Sequence, residues 1–257
     1  MDIIQKINMN KIYHGIIVKV VPYKESDAIV SLLTKDEGII SFKARGVFKI
    51  NSKTSSSLQL FTIGDFKLEY KTDYSNKTLS SANSVYFPLC IYEDLKYSCL
   101  LSFISEIINV FKENNNECYD LLEFAILNLD KIDILTYSLI SLKYLLKWNG
   151  VLFQVDSCVG CNNTHIEVFN YHSGGFLCKK CMINTSNNIN SLLYLKQIRI
   201  IMKAHIENIF AFSVDNVIGY KILLDITKYL EQNLGIYLKS KEMLYFSINN
   251  THSGLTQ

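Results

Sequence analysis

Four cysteines carry the most definite chemistry in this chain. Cys158, Cys161, Cys178 and Cys181 form two C-x-x-C pairs with sixteen residues between the pairs. Two pairs at this separation can hold one tetrahedral Zn²⁺ through four thiolates, and such a site has no open coordination position. We therefore predict a single structural zinc ion that stabilises the fold and takes no part in a reaction. The alternative is a set of buried cysteines that bind no metal.

The segment between the two pairs is typical of a zinc ribbon. Residues 166–169 predict a short strand, and the two glycines at 174–175 predict the turn that returns the chain to the second pair. We place the ribbon at about residues 156–183. His165 and His172 lie between the pairs and could replace a cysteine as ligands, although a surface position is favoured for both.

Enzymes that share this cysteine spacing need further motifs, which the sequence lacks. It contains no G-x-x-x-x-G-K phosphate loop, no Rossmann glycine fingerprint, no G-x-S-x-G and no H-E-x-x-H. We expect a protein without catalytic residues. The remaining enzyme hypothesis is a thiol redox or metal-dependent enzyme that uses the C-x-x-C pairs.

Composition favours a globular, cytoplasmic protein. The 257 residues are 49% hydrophobic and 19% charged, with only two prolines. No apolar run is long enough to span a bilayer, and the first residues lack the pattern of a signal peptide. Cys90, Cys99 and Cys118 indicate no disulfide framework.

The formal net charge of +2 hides an asymmetry along the chain. Residues 1–80 carry a net charge of +4, residues 81–155 carry −4, and residues 156–257 carry +2. A zinc ion bound by four thiolates would add −2 to the last segment and cancel its excess. The first segment is therefore where a polyanion such as nucleic acid would bind.

The first 82 residues predict a small barrel of five strands. Between residues 39 and 45, Phe42 and its alternate neighbours are apolar, whereas Lys43 and Arg45 belong to the opposite face. Five short strands separated by polar turns, with a basic outward face, favour an OB-fold. The predicted strands cover residues 14–21, 28–34, 39–45, 66–71 and 78–86.

Residues 83–257 predict a helical domain into which the ribbon is inserted, so the whole chain is a multidomain α+β protein. Apolar residues recur at helical spacing in five segments, and an Asn-Gly pair ends the third of them. The last dozen residues are rich in Asn, Ser and Thr and predict a loose tail. The predicted helices cover residues 100–111, 121–129, 134–148, 192–210 and 217–234.

The sequence resembles the bacterial recombination mediator family RecO over nearly its whole length. The first matching stretch includes a Tyr-x-Glu-x-Asp motif at Tyr23, Glu25 and Asp27, and a later one is the Gly-Gly-Phe-x-Cys that ends at Cys178. The order of the segments is that of the family. The matching segments are residues 15–19, 23–27, 33–34, 37–38, 43–46, 145–150, 174–178 and 234–240.

The resemblance implies a DNA repair protein with an N-terminal OB-fold and a helical domain that carries a zinc ribbon. Such proteins bind single- and double-stranded DNA and anneal complementary strands. With the partner RecR they help to load the RecA recombinase onto DNA covered by single-strand-binding protein (SSB). They also bind the acidic C-terminal tail of SSB. The resemblance thus places the protein in the cytoplasm, at the nucleoid.

Basic residues of the barrel are the candidates for phosphate contacts. The family often has a run of arginines and lysines after its Ala-x-Gly, whereas residues 47–53 retain only two lysines. Either this loop contributes less affinity, or lysines elsewhere on the barrel share the contacts. The candidate DNA-binding residues are Lys19, Lys24, Lys43, Arg45, Lys49, Lys53 and Lys67.

Aromatic residues at loop positions are candidates for stacking on bases. Tyr23 and Phe48 lie beside basic residues, whereas the alternation of the third strand directs Phe42 into the core. Glu25 and Asp27 would repel phosphate, so we assign them to hydrogen bonds in a turn.

Lys196, Arg199 and Lys203 share one face of a predicted helix and could bind the acidic tail of SSB, although an ordinary solvated face is equally expected. The alternative to a DNA-binding mediator is a zinc-stabilised scaffold whose barrel contacts protein or RNA and which anneals no strands.

Overall fold

The computed structural model describes residues 9–70, 76–111, 115–184 and 190–253. The chain forms two compact units that interleave in sequence. The first contains the described residues up to Glu93 and those from Asn115 to Leu129. The second contains Asp94–Phe111 and the described residues from Asp130 onward.

Five strands of the first unit close into a barrel. Their order around the barrel is β1-β2-β3-β5-β4, and β4 pairs with β1 to complete the circle. All pairs are antiparallel except the short parallel pairing of β3 with β5. This confirms the predicted OB-fold. The strands are β1 (Met9–Tyr23), β2 (Asp27–Thr34), β3 (Gly38–Ala44), β4 (Ile63–Tyr70) and β5 (Lys77–Tyr86).

Alternating apolar side chains fill the barrel. Ile17, Leu32, Phe42 and Phe66 are at most 2% exposed, and the rings of Phe42 and Phe66 lie 6.1 Å apart. Burial of each such side chain stabilises the fold by about 1.5–3 kcal/mol. Closure also needs a close backbone approach at Gly64, where an added Cβ would lie 2.5 Å from the carbonyl oxygen of Asn83.

Helix α2 (Asn115–Leu127) packs against β2 and β3 of the same unit. It begins six residues before the predicted start at 121, because a helix can include polar residues in its first turn where they face solvent. An ion pair between Lys35 and Asp120, with 2.7 Å between nitrogen and oxygen, links α2 to the β2–β3 turn.

The second unit is built around one buried helix, α3, which contacts α1, α4 and α5. Thirteen of the fifteen residues of α3 are buried, so this helix lies inside the core of the unit. The helices are α1 (Leu95–Val110), α3 (Ile134–Trp148), α4 (Leu192–Lys203), α5 (Asn216–Leu234) and α6 (Lys241–Ser253).

Side-chain caps set the start of four helices of this unit. Asp94, Asp133, Ser191 and Asp215 each accept a hydrogen bond from a backbone N–H in the first turn of α1, α3, α4 and α5, respectively. Gly235 ends α5 with φ of +65°, a left-handed conformation that glycine adopts at little cost. The predicted boundaries of α3 and α5 agree with these caps to within a residue.

Two helical predictions were wrong. The segment predicted as one helix over residues 192–210 breaks at Ala204, whose backbone is extended and whose carbonyl accepts a hydrogen bond from buried Lys143. The predicted loose tail is instead helical from residue 246 as far as Ser253, and its last four residues lie outside the described part of the chain. Glu106 explains the second error, because its carboxylate accepts hydrogen bonds from the backbone N–H groups of Lys239 and Ser240, just before α6.

The cysteine-bearing segment is inserted between α3 and α4, as the sequence predicts. It contains a short hairpin of β6 (Val168–Asn170) and β7 (Gly175–Leu177). Within the described residues, no helix combines the length and the apolar character needed to cross a membrane.

Candidate metal centre and nucleic-acid interface

The four cysteine sulfurs converge at the end of the β6–β7 hairpin. All four Sγ atoms lie within 4.8 Å of one another, and those of Cys161 and Cys178 are 3.5 Å apart. That separation is too long for a disulfide bond. Four Zn–S bonds of about 2.3 Å in a tetrahedron would place the sulfurs about 3.8 Å apart. The donor set and its spacing therefore fit one tetrahedral metal ion.

Backbone hydrogen bonds give both C-x-x-C pairs the same hooked shape. In the first pair, the N–H of Asn162 donates to the carbonyl of Cys158 across 2.8 Å. In the second, the N–H groups of Cys181 and Met182 donate to the carbonyl of Cys178. Asn162 has φ of +60°, a conformation that asparagine tolerates better than most residues.

Glycines let the two pairs approach each other. An added Cβ at Gly160 would lie 3.0 Å from the sulfur of Cys181. At Gly175 an added Cβ would lie 2.1 Å from the carbonyl oxygen of Gln154, whose segment forms a bridge with the start of β7. A larger side chain at Gly160 would displace Cys181, and one at Gly175 would push β7 away from Gln154.

The pKa values of the thiols diverge because four anions cannot share so small a volume. Burial raises the pKa of Cys158, but hydrogen bonds from the backbone N–H groups of Cys178, Gly160 and Cys161 outweigh burial and lower it to about 6. Hydrogen bonds with the neighbouring sulfurs raise the pKa of Cys181 to about 12. A bound dication would remove this conflict by stabilising all four thiolates.

Among the described residues, no histidine belongs to the cysteine cluster. His165 and His172 are both exposed and lie outside the group of four sulfurs. His165 and Glu167 precede Cys178 and Cys181 in the H-x-E…C-x-x-C order of zinc deaminases, a similarity that the sequence analysis missed. The structure assigns all four positions to cysteine, so it lacks the histidine ligand that those enzymes use.

At one end of the barrel, two lysines lie beside an exposed aromatic ring. Tyr23 is 43% exposed, and the Nζ atoms of Lys43 and Lys24 lie 4.9 and 5.6 Å from the centre of its ring. Tyr23 is the last residue of β1 and not a loop residue as predicted. Lys24 follows with φ of +57°, which turns the chain sharply toward β2.

Asp27 ties this end of the barrel together. Its carboxylate lies 2.9 Å from Nζ of Lys43 and accepts a hydrogen bond from the N–H of Gly46 across 2.9 Å. Lys43 and this N–H together lower the pKa of Asp27 below its ordinary value. The sequence predicts a hydrogen bond within a turn for Asp27, whereas its carboxylate accepts from Gly46, nineteen residues later, and also offsets the charge of Lys43.

The first part of the β3–β4 loop folds back over the same end. The N–H of Phe48 donates to the carbonyl of Ser26 in the β1–β2 turn, and the ring of Phe48 is 51% exposed. The aliphatic part of Lys49 packs close to Gly46. We call Tyr23, Lys24, Lys43, Phe48 and Lys49 the barrel-end cluster.

The other candidate DNA-binding residues lie around this cluster or away from it. Arg45 directly follows β3 and is exposed, and Lys53 is exposed farther along the β3–β4 loop. Lys19 lies opposite Ser31, four residues before Tyr23 on β1. Lys67 lies on β4, paired with Ile12 and Ser81, so it belongs to a different part of the barrel wall.

In the second unit, two of the three candidate cations of α4 already have an acidic partner. Arg199 and Lys203 both contact Asp156, at 3.0 and 2.5 Å, and Arg199 also donates to the carbonyl of Val155. Both cations lower the pKa of Asp156, Lys203 more strongly. Lys196 is exposed on the same helix. Sequence could not reveal this pairing, because Asp156 precedes its partners by more than forty residues.

The fold and the two sites define an OB-fold protein whose second, helical unit carries a four-cysteine ribbon. Residues 9–87 match the family model described as Recombination protein O N terminal, and residues 92–242 match Recombination protein O C terminal. The chain therefore belongs to the RecO family of DNA repair and recombination proteins.

Curated relatives extend over nearly the whole chain. The DNA repair protein RecO of Halalkalibacterium halodurans is 25% identical over 238 residues, which cover 90% of this chain and 92% of the relative. That of Bacillus subtilis has the same identity and coverage. That of Dehalococcoides mccartyi is 27% identical over 212 residues, covering 79% of this chain and 83% of the relative.

Proposed function

We propose that this protein is a recombination mediator whose barrel, formed by strands β1 to β5, binds single- and double-stranded DNA. It anneals complementary strands and, with RecR, helps to load RecA onto DNA covered by SSB. The observation that carries this proposal is the barrel-end cluster, which combines cations with two exposed aromatic rings on a fold of the RecO family. The protein acts in the cytoplasm, at the nucleoid.

Phosphate contacts supply the affinity in this mechanism. Lys24, Arg45, Lys49 and Lys53 are exposed, whereas Asp27 offsets the charge of Lys43. Each phosphate contact adds about 0.7–0.9 to the slope of log affinity against log salt. Annealing then requires only that the charge of two strands be neutralised while their base edges stay free, so no residue needs to act as an acid, base or nucleophile.

Stacking would hold a single strand in register on the same surface. The half-exposed rings of Tyr23 and Phe48 lie beside lysines and can accept any base, because every base has an aromatic face. Phe42 is buried in the barrel and takes no part.

The ribbon supports the second, helical unit through a metal ion. Cys158, Cys161, Cys178 and Cys181 would hold one Zn²⁺, which would supply four strong bonds between the two C-x-x-C pairs and no site for a reacting water. In this proposal the metal is structural, and DNA binding does not involve it directly.

The cations of α4 are the proposed docking site for the acidic tail of SSB. Lys196 is exposed, and a tail carboxylate would replace Asp156 as partner of Arg199 and Lys203. We expect Asp156→Asn to strengthen binding of an acidic peptide by about threefold, because it removes one competing charge close to two cations. Fluorescence anisotropy of a labelled SSB tail peptide measures this change.

The test of the proposed function is the annealing of two complementary oligonucleotides, each first covered with SSB. Duplex formation that the protein accelerates, and that salt slows, is the expected result. If neither covered nor naked strands anneal faster, the scaffold hypothesis replaces the mediator. If the protein accelerates annealing of naked strands but not of strands covered with SSB, it binds DNA but does not bind the SSB tail.

A further inference from the structure

A cleft of about 240 Å³ lies in the second unit, between helix α5 and the tip of the β6–β7 hairpin. Pockets for drug-sized ligands begin at about 300 Å³, so this cleft suits a smaller group. It includes none of the residues assigned above to the metal centre or to the barrel-end cluster.

One face of α5 forms the first wall of the cleft. Lys228 and Tyr229 lie three and four residues after Asp225, and Gln232 lies four and three residues after them, which places all four on the same side of the helix. A carboxylate, a cation, an aromatic ring and an amide therefore face the same small volume.

The hairpin forms the second wall, which hydrogen bonds hold firmly against α5. The hydroxyl of Tyr171 lies 2.7 Å from that of Tyr194, which in turn donates to Oδ2 of Asp225 across 3.0 Å. The rings of Phe153 and Tyr229 meet edge to face with 5.0 Å between their centres. The cleft is thus a preformed feature of the unit.

Several polar groups at the cleft keep hydrogen-bonding capacity. Among the described residues, Oδ1 of Asp225, the amide of Gln232 and the ammonium of Lys228 make no hydrogen bond or ion pair. Asn233 donates to the carbonyl of Tyr229, which leaves its own side-chain oxygen as an acceptor. The lining therefore combines one carboxylate and one cation with the imidazole of His172 and the amides of Asn170, Gln232 and Asn233.

This chemistry distinguishes between two kinds of anionic ligand. An acidic peptide would bring carboxylates toward Asp225 and meet repulsion. A nucleobase brings N–H donors for Asp225 and an aromatic face for Tyr229, while its phosphate can reach Lys228. A base also presents donors and acceptors together, which suits the amide of Gln232.

We infer that this cleft binds a single unstacked nucleotide of a DNA strand, with the base against Tyr229 and a phosphate at Lys228. The inference rests on the proposed function, because its ligand is a single strand. It adds a second contact point in the helical unit. A protein that holds one base of a strand there leaves the neighbouring bases free to pair.

Photo-crosslinking tests the inference directly. The probe is an oligothymidylate in which 5-iododeoxyuridine replaces some thymidines, because on irradiation the iodinated base bonds to an aromatic ring that it contacts. Peptide mapping of the zinc-loaded, full-length protein should find adducts on Tyr229 as well as at the barrel end.

Two surface variants make the result specific. Lys228→Glu should reduce the Tyr229 adduct about fivefold, because one phosphate contact is lost and reversed. Gln232→Ala should reduce it less. Lys131→Glu, an exposed charge reversal in the same unit and outside the cleft, is the matched control and should change nothing.

Three outcomes would overturn the inference. Adducts at Tyr23 and Phe48 without any at Tyr229 would refute the cleft and keep the proposed DNA binding. A strand that does not bind at all would refute both. If Lys228→Glu abolishes binding of a labelled aspartate-rich peptide and leaves the adducts unchanged, the cleft is a peptide site.

Discussion

The metal centre and the barrel-end cluster organise polar side chains in opposite ways. The four cysteines lie within about twenty-four residues of sequence, and short hydrogen-bonded turns fix their sulfurs within 4.8 Å of one another. The barrel-end cluster joins residues from the end of β1, from β3 and from the following loop, and one acidic residue offsets part of its charge. The metal centre is thus formed within one short segment, whereas the charge of the barrel-end cluster depends on a neighbouring acidic residue.

The difference has an energetic meaning. Removing one ligand from a metal site leaves three thiolates without their cation, so the loss spreads to the whole ribbon. Removing one cation from a solvated surface changes a long-range attraction by a modest, salt-dependent amount. The two sites should therefore separate stability from affinity when each is mutated.

The largest expected effect comes from Cys178→Ser. Structural zinc contributes about 10–16 kcal/mol of apparent binding free energy in zinc-finger peptides, which is comparable to the whole stability of a domain at about 5–15 kcal/mol. We expect the variant to bind less than one zinc per chain and to lose its cooperative thermal transition. Metal analysis and calorimetry measure both.

Cys90→Ser is the control for that change, because Cys90 lies outside the sulfur cluster. It should retain one zinc per chain. A Cys178→Ser protein that stays soluble and melts like the wild type would mean that the four sulfurs do not stabilise the fold.

The second effect concerns affinity alone. Arg45→Glu combined with Lys49→Glu keeps the ion pair of Lys43 with Asp27 intact, so the fold should tolerate it to within about 0.5 kcal/mol. The slope of log DNA affinity against log salt should fall by about 1.5, because two phosphate contacts are lost. Titrations at several salt concentrations measure the slope. Lys131→Glu in the other unit is the control, and an equal loss per reversed charge there would show that only net charge matters.

A smaller effect in the opposite direction is expected for Asp27→Asn. The asparagine oxygen can still accept from the N–H of Gly46, but the charge that offsets Lys43 disappears. Affinity for single strands should rise about threefold, with a salt slope steeper by about 0.7. An unchanged slope would show that Lys43 does not reach the phosphates.

The smallest effect tests what one carboxylate anchor contributes outside the metal site. Burial raises the pKa of Glu106, but hydrogen bonds from Ser240 and Lys239 outweigh it and lower the pKa below its ordinary value. The stabilisation is therefore present above the pKa of the unfolded chain and is lost as the pH falls through the folded pKa.

Glu106→Gln should accordingly lower the free energy of unfolding by about 1 kcal/mol at pH 7, and the difference from wild type should vanish in acid. Urea titrations at pH 7 and at about pH 3 measure it. If the difference in unfolding free energy between Glu106→Gln and wild type stays the same in acid, the negative charge of Glu106 does not contribute to its contact with residues 239 and 240.

Many strands and helices could be predicted from the sequence, because residues close together in the sequence determine them. The barrel strands follow from alternation, since Phe42 and Leu68 had to face one way and Lys43 and Lys67 the other. Helix α5 follows from Asp215 at its start and Gly235 at its end. Tyr23 was predicted in a loop but lies at the end of strand β1, because the strand extends beyond its apolar residues.

Other features could not be predicted, because they depend on contacts between residues far apart in the sequence. Helix α6 has a polar composition and is anchored by Glu106, more than 130 residues earlier. The break after Lys203 depends on a hydrogen bond from Lys143, which sequence cannot place beside Ala204. The partners of Arg199 and Lys203 were hidden for the same reason.

The sequence by itself determined the four-cysteine ribbon, the five-stranded barrel and the family, because periodicity and fixed spacing act over short stretches of chain. Only the tertiary structure decided which charges remain available at the barrel end and which side chains line the cleft beside α5. Those properties depend on pairings such as Asp27 with Lys43 and Asp225 with Tyr194, which exist only after the chain has folded.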